Sequence, residues 1–370
     1  MTNRPVPQTI SGMASTASDR RSVLKGAAGG ALGLGGIASG SSLTAAQVAS
    51  PEATPATILL GAPGDLTIYS GRSEDLIAGV IDIIESDGEI DAQVSYGSTG
   101  EIAIRILEEG TNSPASLFIA QDAGALGQLA NEDRLAPLPA DLLDRVDPRF
   151  VSPDGLWVGL SARARVLVYN TEMLTGADLP TSLVDLTDES WSGQVAWAPT
   201  NASFQSHVTA LRQELGGDAT RDWLQAMIDN GTVAYEGNGQ IVTAVCAGEI
   251  ATGLVNHYYL WEKIAEEGEQ PAANYYFPNG DVGALVNIAG GGILAESPNP
   301  DQALRALDVL LSTNAQTYFA ENTSEYPLIA GVEPRADLPP LADIQTPDID
   351  LTDLADLEGT VALLTDVGLL

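Results

Sequence analysis

Leu66-Thr67-Ile68-Tyr69-Ser70-Gly71-Arg72-Ser73 opens with a short apolar strand (66–69), breaks at the turn Ser70-Gly71-Arg72, and ends on a serine suited to cap a helix. Glu74 and Asp75 then fill a first helical turn, where the positive end of the helix dipole favours acids. Leu76, Ile77, Val80, Ile81, Ile83 and Ile84 recur at helical spacing. The unit repeats. Residues 93–96 read as a strand, Gly97-Ser98-Thr99 as its turn and 101–109 as a helix; 115–120 is a third strand leading through Gln121-Asp122 into a helix over 125–130. Strands alternating with helices at this spacing predict an α/β fold with a parallel, doubly wound sheet.

Further along, a second run of the same kind begins, with strands at 165–169 and 195–198 and a loop over 199–204. Residues 232–235 lead into Glu236-Gly237-Asn238-Gly239 and a helix to 247. Residues 250–255 lead into Asn256-His257-Tyr258-Tyr259 and a helix through 265. Ligands of open α/β sheets bind beyond the carboxyl ends of the strands, so each post-strand turn is a candidate wall of one site, and two such sheets face each other across a cleft.

The whole chain has 370 residues, a length that suggests two globular domains, and 44% apolar residues, enough to fill their cores. With 50 acids against 16 bases its formal charge is -34, which argues against a nucleic-acid or anionic-membrane partner. One cysteine, Cys246, and two histidines, His207 and His257, cannot build an intrachain disulfide, a cysteine cluster or a multi-histidine cage. A bound metal would be held mostly by oxygen.

The first fifty residues have a different composition. Arg4, Arg20, Arg21 and Lys25 stand against one acid, Asp19, and are followed by a weakly apolar stretch (27–37) interrupted by Gly29, Gly30, Gly33, Gly35 and Gly36. The order of paired arginines, weak apolar run and small residues resembles a twin-arginine export signal over 1–49, followed by a Pro/Ala/Thr-rich linker over 50–63. The glycines argue against a membrane anchor. An exported protein, periplasmic or at the cell surface after signal cleavage, is the expectation.

The post-strand turns offer small polar groups and phenols rather than catalytic bases: Ser70, Ser73, Ser98, Thr99, Asn201, Ser203, Asn238, Asn256, Tyr258 and Tyr259. No nucleophile elbow, metalloprotease helix, phosphate loop or dinucleotide fingerprint is present. Nothing in the spacing supports Ser203 with His257 as a nucleophile pair; His257 reads as a structural side chain at a helix start, and Cys246 as a small core residue. Tyr258 and Tyr259 sit at a strand end and a helix opening. They read either as packing aromatics or as ligands of a cation acidic enough to displace a phenolic proton, as Fe(III) is.

With these turns placed, the chain resembles the ferric-iron-binding periplasmic proteins of ABC importers, the bacterial transferrin type. The resemblance is carried by Ile68-Tyr69-Ser70-Gly71-Arg72, Phe118-Ile119-Ala120-Gln121-Asp122-Ala123-Gly124, Gly159-Leu160-Ser161-Ala162-Arg163-Ala164-Arg165-Val166 and Ala198-Pro199-Thr200-Asn201-Ala202-Ser203-Phe204. Asn256-His257-Tyr258-Tyr259, Gly280-Asp281-Val282-Gly283-Ala284-Leu285-Val286-Asn287 and Ser324-Glu325-Tyr326-Pro327-Leu328 complete it. It implies a two-lobed type II periplasmic-binding fold with interleaved lobes, 64–162 with 288–338 and 163–287 with 339–370, and tail helices such as 354–364 packed on the second lobe. It also implies Fe(III) ligation by Tyr258 and Tyr259, and a synergistic anion such as carbonate, phosphate or citrate held by Asn201, Ala202, Ser203, Asn238 and Asn256.

This chain has Ser73 and Gln121 where members of that family have His and Glu, and Glu74 is a substitute ligand or a helix-start acid. Ser70, Arg72, Asp122 and Arg163 are further cleft residues. The implied partners are an ABC permease and its ATPase, with the receptor a monomer and not an enzyme. The alternative is the same fold binding an organic anion, a phosphonate or a polyamine between stacking tyrosines.

Overall fold

The computed structural model describes residues 65–370, so the signal and linker segments lie outside the described residues. β1 (Asp65–Ser70), α1 (Glu74–Gly88), β2 (Asp91–Tyr96), α2 (Thr99–Glu109), β3 (Leu117–Ala120) and α3 (Ala123–Asn131) keep the predicted strand–turn–helix rhythm. Ile77, Val80, Ile81 and Ile84 form the buried stripe of α1. Ser98 closes a capping box with Glu101 at the head of α2, whereas Ser73 stands at the N-cap of α1 without a side-chain bond.

After a single helical turn, α4 (Ala140–Leu143), the long strand β4 (Val158–Asn170) carries the chain into its second half. There follow β5 (Val195–Trp197), α5 (Ala202–Leu215), α6 (Gly217–Asp229), β6 (Val233–Ala234), α7 (Asn238–Cys246), β7 (Thr252–Asn256), α8 (Tyr258–Glu267) and β8 (Ala272–Tyr275). β9 (Val286–Ile293) returns to the first half, joined there by α9 (Pro300–Leu310), α10 (Thr313–Asn322) and β10 (Tyr326–Pro327), and the chain ends in α11 (Leu357–Asp366).

The strand order is β2-β1-β3-β9-β4-β7-β5-β6, with β8 and β10 also pairing β4. β1 is parallel to β2 and β3, and β5 is parallel to β6 and β7, as the alternation predicts. The sheet as a whole is mixed, not parallel throughout: β9 runs against β3 and β4, and β4 runs against β7 and β8. The reason is the crossing. β4 carries the chain from one half to the other and β9 brings it back, so each must oppose its neighbours. Residues 158–164 of β4 pair with β9, and residues 165–170 pair with β7 and β8.

Two expectations need correcting. The segment 199–204 is not all loop, because the Asn201 side chain accepts the Ser203 N–H at 3.0 Å and starts α5 at Ala202. The tail packs α11 against α5, but the 3-10 turn Leu351–Ala355 just before it lies on α3 of the first half. Gly124 permits that approach: a Cβ there would sit 2.6 Å from the Leu354 carbonyl oxygen. Most buried apolar side chains join one continuous core, and a smaller one around Val166, Val168, Ile241, Val245, Val255 and Leu260 supports β7 and α8 from below.

Candidate functional site

The carboxyl ends of β1, β3, β5 and β7 point their turns toward one another, and the sequence-predicted residues divide according to what those turns require. Ser70 serves its own turn: its hydroxyl donates to the Arg72 carbonyl at 2.9 Å and accepts the Arg72 N–H at 3.0 Å. Thr99 locks that turn to the next, donating to the Gly71 carbonyl at 3.1 Å and accepting the Gln121 N–H at 3.2 Å. Gly71 is required for this contact, since a Cβ would fall 2.3 Å from the Thr99 hydroxyl. Ser73 and Glu74 are exposed on the solvent side, and the Glu74 carboxylate acts on Tyr96, whose phenol it helps burial to push up.

Arg72 points inward. Its Nη2 pairs with Glu325 at 2.7 Å and its Nη1 donates to Ser161 at 3.2 Å, both partners fully buried. The Glu325 oxygen in that pair also accepts from Ser161 at 3.2 Å and Thr323 at 3.0 Å. Asp122 is buried as the N-cap of α3, accepting the Ala125 N–H at 3.3 Å. Burial raises its pKa, and the field of Arg163 opposes that rise.

At the centre are the tyrosines. Tyr258 and Tyr259 open α8 with ring centroids 4.5 Å apart, Tyr258 fully buried and Tyr259 half-buried. Gln121 donates to the Tyr258 oxygen at 3.4 Å from the first half of the molecule, and Asn256 donates to it at 3.4 Å from the second. Desolvation first, then the neighbouring Tyr259 and Glu325, push the Tyr258 phenol well above its ordinary range, while Arg163 opposes them. Tyr258 is therefore a neutral phenol at neutral pH.

Next to the tyrosines, the predicted anion residues form one network. Asn201 accepts from Asn238 at 3.3 Å as well as from the Ser203 N–H, Asn256 donates to the Ser203 hydroxyl at 3.0 Å, and the Asn256 carbonyl accepts from Arg165 at 3.1 Å. Ala202 is the first residue of α5. The heads of α5, α7 and α8 all open here, with the positive ends of their dipoles.

His257 is occupied on both ring nitrogens. Its Nδ1 accepts the Ala164 N–H at 3.2 Å, so the proton is on Nε2, which donates to the Ser324 carbonyl at 2.8 Å. Burial holds its pKa near 4, in keeping with a neutral ring. With His257 and Ser203 each engaged elsewhere, the two do not form a nucleophile pair.

Sequence reasoning gave no role to three residues, although Asn287 and Glu325 lie in strings that carry the resemblance. Asn287 on β9 accepts the Ala123 N–H at 3.3 Å and donates to Ser206 at 3.0 Å, joining α3 to α5. Glu325 is the buried partner of Arg72. Glu262 lies one helical turn beyond Tyr258, and burial together with Glu325 and Glu266 raises its carboxyl to about 7; its spacing of four from Tyr258 was the available signal. A cavity of about 870 Å³ lies elsewhere, between the 143–155 loop and the 346–351 segment, and holds none of these residues.

Residues 112–352 match the model of the bacterial extracellular solute-binding protein family. The chain is 35% identical to the Fe(3+)-binding periplasmic protein of Serratia marcescens over 308 residues, 82% of this chain and 90% of that protein. Iron-bound HitA from Pseudomonas aeruginosa superposes with a TM-score of 0.79 at 32% identity, covering 83% of this chain and all of the other. A Trichodesmium protein in complex with iron and citrate superposes at 0.73 with 28% identity, again over 83% of this chain and all of the other. The fold of these neighbours is the two-lobed type II periplasmic-binding architecture.

Proposed function

The chain belongs to the bacterial extracellular solute-binding proteins, on their ferric-iron-binding branch, and from that premise we propose that it captures Fe(III) with a small anion and delivers it to an ABC permease and ATPase. The observation that carries this reading is the adjacent pair Tyr258 and Tyr259 at the head of α8, approached by Gln121 from the opposite half. Two phenolates suit a hard trivalent cation. They leave it one net positive charge and open coordination positions, which an anion fills. The Asn201–Asn238 and Ser203–Asn256 network and the heads of α5 and α7 are arranged to receive that anion. From the first half the group that arrives is the Gln121 amide rather than the solvent-facing Glu74.

An organic anion bound alone is the other reading. A polyamine fits poorly, because the buried Arg163 and Arg165 guanidinia beside the tyrosines would repel it. The chain acts as an exported receptor, in line with the periplasmic relatives, and among the described residues no helix is long and apolar enough to cross a membrane.

Titration of the purified protein with Fe(III) tests the assignment. Phenolate-to-iron charge transfer is expected to colour the loaded protein, and Tyr258→Phe with Tyr259→Phe to abolish the colour. Full visible absorbance in the double variant would overturn it.

A further inference from the structure

We infer that His257 is a positioning residue for the metal site, clamping the head of α8, and with it Tyr258, between the crossover strand β4 and the first half of the molecule. The inference rests on the Fe(III) reading. β7 ends at Asn256 and α8 begins at Tyr258, so one residue makes the change from strand to helix. His257 stands at the N-cap of α8 with helical backbone angles (φ -58°, ψ -33°), and its side chain gives the helix no capping bond. A cap is ordinarily a short polar side chain turned back onto the first helical N–H groups. Here the side chain reaches out of the helix instead.

Every polar group of this buried residue has a partner, and the partners lie on three parts of the fold. The His257 N–H donates to the Ala164 carbonyl at 3.0 Å and Nδ1 accepts the Ala164 N–H at 3.2 Å, a closed ring of two bonds with one residue of β4. Ala164 is where β4 changes neighbours: it is the last residue paired with β9, and Arg165 after it pairs with Asn256 of β7. Nε2 donates to the Ser324 carbonyl at 2.8 Å, on the segment that leads into β10. The His257 carbonyl accepts from Asn274 of β8 at 2.7 Å. Ser324 itself is buried with φ at 54°, a left-handed conformation that costs a non-glycine residue energy and persists where the surroundings hold it. Arg335 does so, donating to its hydroxyl at 3.2 Å.

The clamped ring bears directly on the phenol. Tyr258 meets the imidazole edge to face, with centroids 5.8 Å apart and planes at 80°, and Tyr326 of β10 lies against the imidazole at 4.9 Å. Two aromatic neighbours, His257 and Tyr259, thus fix the plane of Tyr258, while Gln121 and Asn256 meet its oxygen. A ligand has to be held to within about 0.5 Å of its productive position by neighbours whose own conformations are locked. A phenylalanine could supply the ring contacts. Only the two nitrogen bonds set the rotation of the ring and tie Tyr258 to the first half.

His257→Phe keeps the ring and loses both bonds, whereas His257→Gln offers one acceptor and one donor in their place. In Fe(III) titrations His257→Phe is expected to bind about tenfold more weakly, the ordinary net worth of two hydrogen bonds, and to shift or broaden the phenolate-to-iron absorbance. His257→Gln is expected to stay within about threefold of the wild type and to keep its band. A side chain that only filled space would lower the melting temperature of the phenylalanine variant and leave the band of the folded fraction where it is. His257→Asn, an amide too short to span Ala164 and Ser324, takes its place if that variant does not fold. Wild-type affinity and band in His257→Phe, or equal losses in His257→Gln, would overturn the assignment. Hydrogen exchange on the metal-free protein tests the clamp without iron: the amides of Ala164 and of residue 257 are expected to exchange about tenfold or more faster in His257→Phe, with those of β1 and β3 unchanged. A wild type that takes up no Fe(III) would sink the metal reading alone, and unchanged exchange at those two amides would sink the clamp.

Discussion

Gln121 reaches from the β3–α3 turn to the phenol oxygen of Tyr258 on α8, a contact of 3.4 Å between residues on opposite halves of the molecule. In the Fe(III) site proposed above, its amide stands where a carboxylate would offset part of the metal's charge. Gln121→Glu supplies that charge at nearly constant shape and is expected to reduce the dependence of iron binding on added anion. The check is the ratio of Fe(III) affinities with and without phosphate, which should fall by about tenfold, one unit of pKa-scale free energy for one added charge.

Glu325 and Arg72 form a buried pair at 2.7 Å that also engages Ser161 and Thr323. Removing one partner leaves the other charged and dry. Glu325→Gln is therefore expected to cost about 3–5 kcal/mol in urea unfolding, and the joint change Arg72→Met with Glu325→Leu to cost less than the single one. A double variant that costs as much as Glu325→Gln or more would refute this account of the pair.

Burial, Glu325 and Glu266 raise the Glu262 carboxyl from 4.5 to about 7, with Arg72 opposing them. The folded protein thus keeps a proton that the unfolded chain releases. That stabilisation is complete below about pH 4.5 and is lost as pH rises through about 7. Relative to the wild type, Glu262→Gln is expected to gain about 1–3 kcal/mol between pH 5 and pH 8, measured as the difference between two pH-dependent unfolding series. A constant difference across that window would refute it.

Export is the fourth expectation. Arg20 and Arg21 precede a weakly apolar run, and a twin-arginine route does not accept two lysines in their place. Arg20→Lys with Arg21→Lys is expected to leave precursor inside the cell; normal secretion in cells with that pathway intact would exclude the route.

The repeating strand–turn–helix rhythm was legible because each unit is local: an apolar run, a Gly turn, an acid-led helix. The crossing of β4 and the return of β9 were not, because pairing sense depends on partners more than a hundred residues away, such as Phe118 and Gly292. Within the site, the tyrosines and the Asn201 turn could be read from their places after strands. Whether Asn256 presents its amide to a ligand or to Arg165 depends on a residue on another strand, and no spacing reveals it. Glu74 shows the limit from the other direction. Its position beside Ser73 suggested a ligand, but the first turn of α1 aims it at Tyr96 and solvent.

The antiparallel pairing of β3 with β9 has a consequence for when the protein can fold. Leu117 aligns with Ile293, so the first three strands lack their inner neighbour until synthesis has passed the second half and reached residue 293. Contacts of such sequence separation are closed late and slowly. The first half lacks this neighbour until β9 is present, and the second half lies between the two in sequence. The sheet of the first half is therefore closed only after the whole of the second half has been made, so the segment that is synthesised first is completed by one synthesised long after it.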